Sequence, residues 1–162
     1  RHTRSFHVTG VQTCALPISW AKAHGGDTRR LGVTGFCWGG RITWLAASQL
    51  DGVKAGVAWY GRVTGDKTAN NPSHPIDLVA QLKAPVLGLY GGQDTGIPLD
   101  QVEKMKEALA SQKNKAAQAS QFHIYPDAPH AFHADYRPSY REASAKDGWA
   151  RCIAWFKQQG VV

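Results

Sequence analysis

One cysteine in this chain stands among glycines: Gly35-Phe36-Cys37-Trp38-Gly39-Gly40, directly after the apolar run Leu31-Gly32-Val33-Thr34. A thiol in the pattern Gly-x-Cys-x-Gly, after a strand and before a helix, is the sulfur version of a nucleophile elbow. The small residues have a physical reason. The nucleophile occupies a strained turn, and Gly35 and Gly39 are expected to remove side chains that would clash with neighbouring backbone. A helix starting near Gly39 would aim unpaired N–H groups at the sulfur and favour the thiolate. The Trp38 N–H would then face a developing oxyanion. An isolated cysteine reads more simply as a small buried hydrophobe, but the strand-elbow-helix setting shifts the reading to nucleophile.

A thiol nucleophile needs a base, and the base needs an orienting carboxylate. Asp94 lies in Gly91-Gly92-Gln93-Asp94, after the apolar run Pro85 to Tyr90. His130 lies in Pro126-Asp127-Ala128-Pro129-His130, after Gln121 to Tyr125. Nucleophile, acid and histidine run in the chain order of a hydrolase with an α/β sheet, each one loop beyond a strand. Alone, Asp94 would read as a turn residue, and the joint placement carries the weight. Asp127 is a rival orienter, but so close to His130 in sequence it reads as the turn itself.

The other candidates have plainer readings. His74 and His123 are expected on loop and strand surfaces. His130, His133 and Asp135 invite a metal, yet His-x-x-His-x-Asp on a loop is not a helix-borne ligand spacing, so no metal is assigned. No cofactor is expected either. Cys152 reads as core.

The elements that must position these residues alternate in period. Apolar strands are expected over 30–36, 55–60, 85–90 and 121–125. Helices are expected to end near His24, closed by Gly25-Gly26, and to span 40–49, 76–82, 98–111 and 142–159. Ile42, Leu45 and Ala46 should face inward from the second of these. The last should bury Ala145, Trp149, Cys152, Ile153 and Phe156. Residues 61–75 and 112–119 read as loop and polar linker. Apolar strands alternating with helices call for an α/β fold, a parallel sheet of about four strands covered by helices. Chemistry in such sheets gathers at the carboxyl ends of the strands.

Composition sets outer limits. At 162 residues and 43% hydrophobic, the chain can bury one core. Its net charge of +7 is scattered rather than gathered into a basic run, which favours small anions over nucleic acid as partners. Apolar runs fall far short of the roughly 18 residues of a membrane span. Three cysteines at irregular spacing indicate neither disulfides nor zinc, and a cytoplasmic, reducing location is the expectation. Residues 1–18 have no period joining them to the rest. Val8 to Ile18 resembles the translation of a widely used sequencing adapter, so this segment is read as artefactual and residues 19–162 as the domain. A signal peptide would need a longer apolar run there.

At Gly35 to Gly40, Tyr90 to Asp94 and His130 to Phe132, the chain resembles the dienelactone hydrolase family of α/β-hydrolases. The resemblance runs from Ser19 to the C-terminus. It implies Cys37 as nucleophile, His130 as base and Asp94 as orienter, with an acyl-thioester resolved by water and no cofactor. It implies small lactone or ester substrates bearing a carboxylate, and Trp38, Tyr60, Phe132 and Arg137 are the residues expected around them. The family's arginine four residues past the histidine is replaced by Ala134, and Arg137 is the candidate substitute. The resemblance also implies a C-terminal fragment lacking the family's first strands, a glutamate that governs the thiol and the second oxyanion donor. Weak activity and an exposed sheet edge are the corresponding expectations. Two other readings compete: a glutamine amidotransferase, which would place glutamate where Phe132 stands, and a non-catalytic module.

Overall fold

The computed structural model describes residues 18–162, so the reading of the opening segment as foreign lies outside the described residues apart from Ile18. Helical residues 18–23 (α1) end at a turn with Gly25 at φ 85°. The strands follow as β1 (Leu31–Phe36), β2 (Val53–Trp59), β3 (Val86–Gly91) and β4 (Gln121–Tyr125). They form one parallel sheet in the order β1-β2-β3-β4, as the alternation of apolar runs and helices predicts. β1 occupies one edge of this sheet.

Helices α2 (Trp38–Gln49), α3 (Leu99–Ala110), α4 (Lys115–Ala119) and α5 (Glu142–Gln158) connect and cover the strands. Alternation along a strand sends neighbouring side chains to opposite faces, and the two faces have different helices. On one, Tyr90 of β3 meets Trp44 of α2 and Phe122 of β4. On the other, Trp59 of β2 packs against Phe132 and against α5, where a Cβ at Gly148 would already touch the indole. Trp44, Trp59, Tyr90 and Phe132 are all fully buried between these layers.

The departures from periodicity have local causes. The expected linker before β4 contains the short helix α4, capped by Asn114, whose side chain accepts from the Ala117 N–H. Residues 75–81 form a 3-10 helix with Pro75 at its start. On α2 the buried face is wider than Ile42, Leu45 and Ala46: Arg41, Thr43, Trp44, Ala47 and Ser48 are buried and Ile42 only partly so. On α5 the buried stripe is Ala145, Gly148, Cys152, Trp155 and Phe156, while Trp149 turns out to solvent. His74, read as a surface loop residue, is buried, its Nε2 2.9 Å from the Asp66 carbonyl oxygen.

Candidate active site

Cys37 is the N-cap of α2, at φ 55° and ψ −115°. A side-chain-bearing residue held there stores strain of order 1–3 kcal/mol. Its N–H donates to the Trp59 carbonyl at 2.9 Å, which carries the β1–β2 ladder one residue past β1, and the thiol is left exposed. The turn closes this tightly because Gly35 lacks a Cβ, which would overlap the Gly39 backbone, and Gly61 lacks one that would overlap the Gly40 backbone. Gly39 itself faces open space. The sequence reading therefore assigned the right role to Gly35 and the wrong one to Gly39. The Tyr90 hydroxyl donates to the Gly61 carbonyl at 2.8 Å and accepts from Trp44 Nε1 at 3.1 Å, so the core fixes the segment that presses on the elbow.

The loops after β3 and β4 run together. Gln93 N–H donates to the Ala128 carbonyl and Gly92 N–H to the Tyr125 carbonyl, an approach possible because a Cβ at Gly91 would collide with Ala128. Asp94 is buried, and its two oxygens divide the work. Oδ1 accepts from the N–H groups of Gly96 and Ile97 at 2.9 and 3.1 Å, which closes the turn. Oδ2 lies 2.6 Å from His130 Nδ1. His130 Nε2 in turn lies 3.2 Å from Cys37 Sγ. The imidazole pKa is raised from 6.5 to about 9, chiefly by the hydrogen bond to Asp94 and further by the one to Cys37, against the opposing effect of burial.

Two clefts meet at the sulfur. The first, of about 810 Å³, is walled by aromatic rings including Phe36, Tyr60, Tyr140 and Trp149, with Arg137 and Lys146 also lining it. The second, of about 700 Å³, runs past Trp38, Arg41 and Arg62 toward Asn71. Tyr60 lines both, at φ 38°, its ring edge-on to His130 with centroids 5.1 Å apart; burial first, and then the charge of Cys37, push its phenol pKa upward. Ala131 is at φ 60°, so the three non-glycine residues with positive φ among the described residues, Cys37, Tyr60 and Ala131, all line the first cleft.

Phe132 requires a correction. It is fully buried, ring to ring with Trp59, Tyr60 and Tyr125, and it lines neither cleft; it supports the wall from behind. The Trp38 indole stands 56% exposed, and its N–H, the first of α2, has no partner within the helix. Sequence reasoning weighed His133 only as a metal candidate, placed Trp149 on the buried stripe of the last helix and missed Phe36, yet all three line the first cleft. It also missed Arg41, whose signal was available: a cation in the first turn of a helix opposes the macrodipole.

The strand order, the elbow after a sheet strand and the acid and histidine on later loops define an α/β-hydrolase. The model of the dienelactone hydrolase family matches residues 5–160, and the chain belongs to that family. That match begins within the segment 1–18. A relative from Salmonella typhimurium named "Putative carboxymethylenebutenolidase" is 58% identical over 142 residues, covering 88% of this chain and 51% of the relative. A Bradyrhizobium protein named "Probable 2-oxo-3-(5-oxofuran-2-ylidene)propanoate lactonase" is 33% identical over 129 residues, 79% of this chain and 50% of its own length. Among solved structures, the "Putative Dienelactone Hydrolase from Klebsiella pneumoniae" superposes with a TM-score of 0.85 at 54% identity, over 91% of this chain and 60% of that one. The Pyrococcus horikoshii acylaminoacyl peptidase, at TM-score 0.74 and 20% identity, shares the fold alone. The chain spans about half the length of the curated relatives it matches.

Proposed function

We propose that this chain carries the hydrolytic centre of an enzyme that cleaves small esters or lactones through Cys37. The observation that carries the reading is the His130 imidazole, 3.2 Å from the sulfur on one side and 2.6 Å from Asp94 on the other. With its pKa raised to about 9, the ring holds its proton at neutral pH facing the sulfur, the charge arrangement a thiolate nucleophile requires.

The chemistry follows from where that proton is held. The thiolate attacks the carbonyl carbon, forming a C–S bond, while the carbonyl oxygen takes up the negative charge facing the Trp38 N–H. His130 gives its Nε2 proton to the departing alkoxide, and the carbon–oxygen bond breaks. The neutral imidazole then takes a proton from water as the hydroxide adds to the thioester. Collapse releases the carboxylic acid and restores the thiolate beside the imidazolium. Asp94 keeps Nδ1–H engaged throughout, so the tautomer that faces sulfur is fixed. The histidine's partner comes from the loop after β3, whereas a glutaminase would supply it two residues on, where Phe132 is buried.

The test is hydrolysis of p-nitrophenyl acetate with intact-mass detection of an acetylated Cys37. Cys37→Ala should abolish both signals and leave folding intact. Hydrolysis by Cys37→Ala at the parent rate would refute the reading.

A further inference from the structure

The two clefts at the sulfur have only Cys37, Tyr60 and His130 in common, so they reach the nucleophile and its base from separate sides. An acyl group on Cys37 that rests among the aromatic rings of the first cleft leaves the second facing both the thioester and the His130 ring. Water, which fills about 30 Å³, needs little of the space of about 700 Å³ there. That space suits a larger second reactant.

One wall of this cleft is built to stay in place. Residues 63–76 double back on themselves: the Ile76 N–H donates to the Val63 carbonyl at 3.1 Å, His74 Nε2 lies 2.9 Å from the Asp66 carbonyl oxygen, and Lys67 pairs with Asp77 at 3.0 Å. Arg41 Nη2 ties this strap to α2 by donating to the Ser73 carbonyl at 2.8 Å. Within the strap, Thr68 and Asn71 exchange backbone hydrogen bonds at 3.0 and 3.1 Å, and the Asn71 N–H also meets the Thr68 hydroxyl. The Asn71 side chain takes no part in this turn and lines the cleft, as does Thr95 from the loop after β3. Neither side chain makes a hydrogen bond among the described residues. Together they offer a carboxamide and a hydroxyl, groups that pair with an amide.

We propose that the second cleft admits a thiol bearing an amide, of the N-acylcysteamine type, and that the acyl group passes from Cys37 to it, a transferase activity beside hydrolysis. The proposal rests on Cys37 being the nucleophile. Once the alkoxide has left with the His130 proton, the ring is neutral. The incoming thiol gives its proton to Nε2, its sulfur bonds to the thioester carbon, and the carbonyl oxygen takes up the charge. Collapse breaks the bond to the Cys37 sulfur, which returns as a thiolate to its place 3.2 Å from the imidazolium. An ester and a thiol thus become a thioester and an alcohol, with no water consumed and no oxidant involved. The preference for sulfur has a physical basis. A free thiol ionises with a pKa of about 8.5 and water with one of about 15.7, and the surroundings of Nε2 already hold one sulfur.

The experiment starts from acetyl-Cys37, made on the whole chain with p-nitrophenyl acetate and freed of reagent by rapid gel filtration, so that thiols meet only the bound acyl group. Intact mass follows its loss, and chromatography identifies the product. N-Acetylcysteamine should remove the acetyl group with saturation and yield S-acetyl-N-acetylcysteamine. Its rate should exceed that of its exchange with free S-acetyl-N-acetylcysteine by about a hundredfold or more, the contribution of a positioned base. It should also outpace 2-mercaptoethanol, which lacks the amide, by about tenfold, as two hydrogen bonds allow. Asn71→Ala leaves its turn to backbone atoms and the Thr68 hydroxyl, and Thr95→Ala lies at an exposed position; each should lower that ratio about threefold. Lys157→Ala, outside both clefts, should leave the ratio unchanged. Loss of the acetyl group at the buffer rate whatever the thiol, or no faster than the free thioester reacts, would overturn the transfer and spare the nucleophile. Equal rates for the two thiols would overturn the amide-binding cleft. Rapidly quenched samples that show no acetyl on Cys37 would overturn the nucleophile, and the transfer with it.

Discussion

His130 Nδ1 and Asp94 Oδ2 meet at 2.6 Å although 36 residues separate them in the chain, and the other Asp94 oxygen is held by two backbone N–H groups. The carboxylate thus shapes its own loop and orients the imidazole at once.

This pairing predicts a pH-dependent contribution to stability. The pKa of His130 is raised on folding from 6.5 to about 9, so the folded state binds its proton more tightly. Its stabilisation is complete below about pH 6.5, declines between 6.5 and 9, and is gone above that. Asp94→Asn retains an oxygen for Gly96 and Ile97 but removes the charge facing Nδ1. NMR titration of the parent should give a midpoint near 9 for the His130 ring, moving toward 6.5 in Asp94→Asn. The difference in Tm between the two should be largest at pH 6 and shrink toward pH 9.

The elbow makes a paired prediction at its glycines. Gly35→Ala places a methyl into the Gly39 backbone, which cannot yield as a side chain can, and should cost about 1–3 kcal/mol with loss of selective Cys37 alkylation. Gly39→Ala meets open space within a helix and should be neutral or stabilising by up to about 1 kcal/mol. Thermal unfolding of the two variants checks this, and equal losses would contradict the geometry.

The strands were legible because β2 and β3, covered on both faces, are apolar almost throughout, while β1 and β4 at the ends of the strand order keep an apolar majority beside less buried positions, and the four runs fall within two residues of β1 to β4. Cys37, Asp94 and His130 were legible because each follows a strand end, a relation that survives in one dimension. The pocket was not. Whether Phe132 faces a cleft or the core depends on Ala131 adopting φ 60° one residue earlier, a conformation no local pattern announces. Trp149 matches the apolar period of α5 yet turns to the cleft, because Gly148 beside it lets the Trp59 ring occupy the space against the helix. The burial of Arg41 depends on a carbonyl, Ser73, 32 residues away.

Phe132 supplies a further prediction, since core and substrate-contact roles separate by variant. Phe132→Ala removes a fully buried ring and should cost about 3–5 kcal/mol. Phe132→Leu should cost less and restore most of the Tm. A residue touching substrate would instead raise KM for p-nitrophenyl esters with Tm unchanged.

Cys152 gives the last prediction, an internal contrast to Cys37. It is 1% exposed, and burial pushes its thiol from 9.0 to about 11, opposed weakly by a hydrogen bond to Thr34. A buried neutral thiol is both inaccessible and unreactive, so in the native protein Cys152 should be alkylated only through opening of α5. Its labelling rate should rise with urea in parallel with the loss of circular dichroism, while Cys37 labels before any unfolding. The raised pKa also has a sign. The unfolded thiol ionises above about pH 9 and the folded one resists to about 11, so stability should fall as pH rises through that interval. Cys152→Ala should flatten that decline, and a decline of unchanged slope would show that the thiol is not its source.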